Sequence, residues 1–137
     1  MSRDTIGDFL TVIRNGVMVS KPSVTFPYSN LCYQIAEILK SEGFIRNVTI
    51  ESNTDSEVKK YPLKRLKIVL KYVDRESVIH EITRKSTPGR RLYMGANDLK
   101  PVIGGLGITI LTTNQGVIAN KKAKSLKVGG EVICTVW

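Results

Sequence analysis

Ile108-Thr109-Ile110-Leu111-Thr112-Thr113-Asn114-Gln115-Gly116, carried on by Val117 to Ala119 and the lysines Lys121, Lys122, Lys124 and Lys127, is the stretch that decides the fold. A short β-rich run ends in three side chains that can hydrogen-bond and turns at a glycine. It then enters a cationic segment that Asn120 can cap as a helix. The stretch holds no acid, histidine or cysteine, so Thr112 and Thr113 have no local base to activate them and a metal has no soft ligand. It offers hydroxyls, an amide and cations, the groups that meet phosphates, ribose and base edges.

Downstream, Val128-Gly129-Gly130-Glu131 leads into Val132-Ile133-Cys134-Thr135-Val136-Trp137, an apolar terminal strand expected to pair inside a sheet. Glu131, beside a double glycine in cationic surroundings, either accepts from a base amino group, a 2′-hydroxyl or backbone amides, or pairs with a lysine. Upstream, Gly104-Gly105-Leu106-Gly107 lacks the Gly-Lys-Ser/Thr ending of a phosphate loop and precedes a strand, so a tight bend or close backbone approach is expected. Asp98 to Pro101 reads as a short polar link. Pro88-Gly89 is a turn signal followed by Arg90, Arg91 and Tyr93. A ring beside guanidiniums suits stacking on an unpaired base, and a core tyrosine with its hydroxyl outside gives the same pattern. Val78 to Arg84 predicts a strand with Val78, His80 and Ile82 on one face; His80, with no second ligand or nucleophile nearby, reads as structural.

In the N-terminal half, Ile6, Phe9, Leu10, Ile13 and Val17 recur at helical spacing behind Asp4, with Asn15-Gly16 as the expected stop and Arg14 and Asn15 read either as free to face a partner or as a solvated helix end. Pro22 and Pro27 bracket an edge strand. Ser29 caps a second helix carrying Leu31, Ile35, Ile38 and Leu39, and Gly43 closes it. Phe44 to Ile50 predicts a strand, Glu51 to Glu57 a polar connection, and Lys64 to Tyr72 a strand with a dry face of Leu66, Ile68, Leu70 and Tyr72. Lys59, Lys60, Lys64, Arg65, Lys67 and Lys71 give this region a cationic face, read either as solvated or as touching phosphate.

With 137 residues, 42% of them hydrophobic, the chain can bury one ordinary core or two small subdomains that share an interface. The formal charge of +9 points to a polyanion, with nucleic acid ahead of an anionic membrane. No apolar run reaches the roughly 18 residues that suggest a span, and Met1 to Thr5 has no signal-peptide core, so the expected compartment is the cytoplasm. Cys32 and Cys134 are too sparse for a disulfide framework and are expected as buried thiols. No metal or cofactor is expected, and the absence of a nucleophile–base constellation argues against an enzyme.

Asp4-Thr5-Ile6 with Ile13-Arg14-Asn15-Gly16, Glu42-Gly43-Phe44-Ile45, Pro88-Gly89-Arg90-Arg91-Leu92-Tyr93, Gly105-Leu106-Gly107-Ile108, Thr112-Thr113-Asn114-Gln115-Gly116-Val117 and Gly129-Gly130-Glu131-Val132-Ile133-Cys134 occur in the order of a known family. Together they resemble the bacterial-type ribosomal protein S-eight family, the eighth protein of the small subunit, along the whole chain. The resemblance implies two small α+β subdomains packed against each other, residues 1–72 and 73–137. It further implies a primary binder of small-subunit ribosomal RNA in the central domain, supporting subunit assembly, translation and the docking of neighbouring small-subunit proteins. Some family members also repress translation through their own operon messenger RNA; a free-standing regulatory RNA-binding protein is the alternative. By the same resemblance the RNA-binding residues are Thr112, Thr113, Asn114 and Gly116 with Tyr93, Arg90 and Glu131. The cations Lys121 and Lys124, and Thr5, Arg14 and Asn15, complete the set. The family loop usually reads Ser-Thr-Ser-Lys-Gly where this chain has Thr112 to Gly116, and the usual Thr-Asp pair opening the helix appears here as Ala119-Asn120.

Overall fold

The computed structural model describes residues 4–53 and 63–137 and is α+β: three helices and antiparallel sheets. Lys59, Lys60 and most of the expected polar connection after Glu51 lie outside the described residues. Helix α1 (Thr5–Met18) starts where the Asp4 carboxylate accepts from the Gly7 amide at 3.1 Å, satisfying one of the open donors of the first turn. It does not stop at Asn15-Gly16. Gly16 is buried against β1 (Ser23–Pro27), where an added Cβ would lie 2.4 Å from Val24 Cγ1, so this glycine lets helix and strand close up. Helix α2 (Asn30–Ser41) is capped by Ser29 and ends ahead of Gly43 at φ +82°.

Strands β2 (Ile45–Asn53) and β3 (Leu63–Leu70) join β1 in a sheet of order β1-β3-β2, with β1 at the edge where its prolines cost no ladder bond. The register sets Val24, Ile68 and Val48 in one row and Thr25, Lys67 and Thr49 in the next, so alternation sends one row into the core and the other to the outer face. Tyr72 falls beyond the strand, in the two-residue hairpin β4 (Tyr72–Val73) and β5 (Glu76–Ser77), and its hydroxyl donates to the Lys21 carbonyl at 2.6 Å.

The second sheet contains β6 (Ile82–Arg84), β7 (Tyr93–Met94), β8 (Ile108–Thr113), β9 (Gly116–Ala119) and β10 (Gly130–Val136). Its order is β6-β10-β8-β9, with β7 also paired to β10. The expected strand over Val78 to Arg84 shrinks to Ile82–Arg84. Before it, the His80 and Glu81 amides both donate to the Trp137 carbonyl and the His80 ring stacks on Trp137 at 5.2 Å, so chain-end contacts replace a ladder. The link at Asp98 to Pro101 is not wholly polar in role, because Leu99 is buried. Helix α3 (Asn120–Leu126) follows β9 without the expected Asn120 cap. Ala119 holds the cap position, while the buried Asn120 Oδ1 accepts from the Thr109 amide at 3.3 Å.

One core runs through both halves. Phe9, Leu10, Ile13, Ile35, Leu39, Leu66 and Ile68 pack in the same cluster as Ile82, Ile108, Ile110, Cys134 and Val136. The other side of the second sheet puts Leu111, Ile118 and Val132 with Leu99 and Ala123. Covered on both faces, β8 is buried continuously from Ile108 to Leu111, the polar Thr109 included. Cys32 and Cys134 are free and buried, and desolvation pushes the Cys134 thiol up to about 12.

Candidate nucleic-acid interface

The β8–β9 turn is built by Thr113. Its hydroxyl donates to the Gly116 carbonyl and accepts from the Gln115 amide, each at 3.0 Å. Asn114 and Gln115 keep negative φ while Gly116 takes φ +97°, the pattern of a turn closed by a glycine bulge. The Thr113 hydroxyl therefore spends its proton inside the turn instead of offering it outward. Asn114 and Gln115 are the exposed side chains at the tip.

Register assembles the rest. Glu131 on β10 is the partner of Thr112 on β8 and of Tyr93 on β7, and Thr112 is the partner of Val117. Cross-strand partners point to the same face, so Tyr93, Glu131, Thr112 and Val117 form one row. Val117 packs against the main core and Tyr93 is 68% exposed, so the row runs from packed to open. The glycine pair before Glu131 permits this approach: a Cβ on Gly130 would lie 2.1 Å from the Thr112 carbonyl oxygen, and one on Gly129 would lie 2.4 Å from that of Met94.

Glu131 has partners that the sequence did not indicate. Ser86, fully buried, donates to Glu131 Oε2 at 2.5 Å and accepts from the Leu92 amide at 3.1 Å, while Arg91 holds the same oxygen at 3.0 Å. These contacts hold the Glu131 carboxyl below its ordinary range: the Ser86 hydrogen bond lowers it most, burial opposes, and the Arg91 bond and charge lower it further. Oε1 keeps its accepting capacity, with no partner among the described residues. Ser86 thereby ties the Arg91 to Tyr93 segment to β10. Nothing in the spacing of Ser86 and Glu131, 45 residues apart, signals this contact.

Arg90 is exposed in the turn that bridges Thr87 to Arg90. Lys121 and Lys124 are exposed on α3, with Lys124 Nζ donating to the Leu99 carbonyl at 3.4 Å. The three residues of α1 divide. Thr5 and Asn15 are exposed, but Arg14, expected to face a partner, turns inward and donates to the Ile82 carbonyl at 2.6 Å. With the Asp4–Arg84 ion pair at 3.1 Å, it clasps α1 to β6. Among the described residues, no hydrogen bond or ion pair joins Thr5, Arg14 or Asn15 to the hairpin tip.

Among the described residues there is no group of three metal-ligating side chains, and no helix is long and apolar enough to cross a membrane. The fold and this surface define a small, basic α+β protein with a polar hairpin tip beside the Tyr93–Glu131–Thr112 row. The family model described as ribosomal protein S8 matches residues 4–137, and the chain belongs to that family. Curated relatives named small ribosomal subunit protein uS8 include those of Ruegeria sp. (strain TM1040), 47% identical over 134 residues, and Thermosipho africanus, 45% over 141. The first alignment covers 98% of both chains and the second 100% of both. The protein of Geobacter metallireducens is 42% identical over 135 residues, covering 98% of this chain and 97% of the relative.

Proposed function

We propose that this chain is a structural constituent of the small ribosomal subunit that binds central-domain ribosomal RNA as a primary binder and supports subunit assembly and translation. The observation that carries the reading is the row Tyr93–Glu131–Thr112 ending beside the exposed Asn114-Gln115 tip. RNA of A-form hides its major groove, so a protein reads it through the shallow groove, sugar hydroxyls and splayed bases. Tyr93 offers a ring for stacking, Thr112 and Asn114 offer neutral donors, and the open oxygen of Glu131 offers an acceptor. Gly116 keeps the turn narrow. Arg90, Lys121 and Lys124 neutralise phosphates and supply affinity that falls with salt. Thr5, Arg14 and Asn15 form a separate, smaller contact, with Arg14 also positioning α1 through its bond to the Ile82 carbonyl.

Residues 1–72 and 73–137 act in this reading as two subdomains, the second carrying the main RNA surface. The setting is the cytoplasmic small subunit, with neighbouring small-subunit proteins as further partners. A folded operon messenger of like shape would meet the same row and be repressed by it. Protection mapping of ribosomal RNA, with and without the protein, tests the reading: footprints in one central-domain helix support it. Failure to co-sediment with the small subunit, despite retained binding to some other RNA, would instead favour a free-standing regulator.

A further inference from the structure

The glycine run that does not qualify as a phosphate loop lies, in the folded chain, opposite the lysines of α3. Leu99 to Pro101, Gly104, Gly105 and Gly107 form one wall of a cleft of about 280 Å³, and Asn120, Lys121 and Lys124 form the other. That is many times the space one water needs. Three properties suit it to an anion. Its charged lining is Lys100, Lys121 and Lys124, with no acid among the residues that form it. Gly104 and Gly105 have nothing within 4 Å of where a Cβ would stand, so a ligand can come close to bare backbone.

The third property is a fixed donor. Asn120 is 8% exposed and its Oδ1 is occupied by the Thr109 amide, which leaves its NH2 group with no acceptor among the described residues in a side chain that lines the cleft. An aspartate here would repel an anion; the asparagine donates to one.

We propose that the cleft between the Gly104-Gly105 bend and α3 binds a phosphate group, with the Asn120 amide as the oriented donor and Lys100, Lys121 and Lys124 as the neutralising charges. The inference deepens the RNA-binding reading, because a backbone phosphodiester and a free phosphate share this chemistry. The test follows backbone amide shifts of the full chain on titration with inorganic phosphate and, separately, with a short RNA duplex of arbitrary sequence. Both probes should move Gly104, Gly105 and Lys121. A response to the duplex alone assigns the site to RNA backbone, and a response to phosphate alone assigns it to a free anion; either supports the site.

Asn120→Asp preserves an acceptor for the Thr109 amide and should abolish the response without unfolding the chain. Lys100→Ala with Lys121→Ala should lower the salt dependence of duplex binding by about 0.9 in log–log slope for the one phosphate lost. The proposal is overturned if neither probe moves these amides, or if Asn120→Asp responds as the parent does. Tyr93→Ala reports on the hairpin row alone, so failure of that reading is distinguishable from failure of the cleft.

Discussion

Ser86 holds the candidate surface together from beneath. Its hydroxyl serves two partners at once, the Glu131 carboxylate and the Leu92 amide, in a place closed to water. Removing the hydroxyl leaves the amide and part of the carboxylate without a partner. Ser86→Ala is therefore expected to cost about 1–3 kcal/mol in denaturant unfolding, the range for a stranded buried polar group. Glu131 makes the same contact visible through pH. Its folded value is depressed from the ordinary 4.5, so its contribution to stability is complete above that value and is lost as pH falls below it through the folded one. Glu131→Gln should flatten this acid-side decline, as measured by unfolding midpoints from pH 6 down to about 3. At this scale the sequence was only partly legible. The burial of both thiols follows the expectation, and the exposure of Tyr93 decides against the core-tyrosine alternative that the spacing left open, but the Arg91–Glu131–Ser86 cluster joins residues about forty positions apart, and no local periodicity encodes such a contact. The Arg14 contact was hidden for a related reason: a cation at a helix end looks free until the strand that supplies its carbonyl is in place.

The β8–β9 hairpin owes its shape to a threonine that faces its own backbone. Thr113→Val keeps the shape of the side chain and deletes both turn hydrogen bonds, so the tip should open. Hydrogen exchange at Gln115 and Gly116 should accelerate. Affinity for the cognate RNA should fall by the equivalent of about 1–3 kcal/mol, while the salt slope stays close to that of the parent. Unchanged exchange together with unchanged affinity would remove Thr113 from the account. The turn itself was readable from Gly116, because a glycine after two polar residues is a strong local signal. Two other local signals were overridden by packing. Gly16 looked like a helix stop but serves the contact with Val24, and Asn120 looked like a cap but is drawn inward by the Thr109 amide. Gly130→Ala should be among the most damaging single changes to this sheet, since the new methyl meets backbone instead of a movable side chain. Loss of the β10–β8 amide protection measures it.

Both halves of the molecule contribute to one buried cluster, with α1 clasped to β6 by Arg14 and by the Asp4–Arg84 pair. Shared burial couples the halves, so denaturant unfolding followed by Trp137 fluorescence and by helix circular dichroism should give coincident transitions. Helices α1 and α2 and strand β3 were legible from clean 3.6- and 2-residue periods, the α+β class came with the family resemblance, and the excess of cations pointed to a polyanion before any geometry was known. What composition cannot supply is where those cations collect and which polar groups they frame. That surface carries the central claim, and the most direct measurement is the affinity of Tyr93→Ala/Asn114→Ala for a central-domain ribosomal RNA fragment across a salt series. The account predicts binding weaker by about tenfold or more at every salt concentration with a parallel slope, as for lost stacking and base-edge contacts. Affinity equal to that of the parent across the series would contradict it.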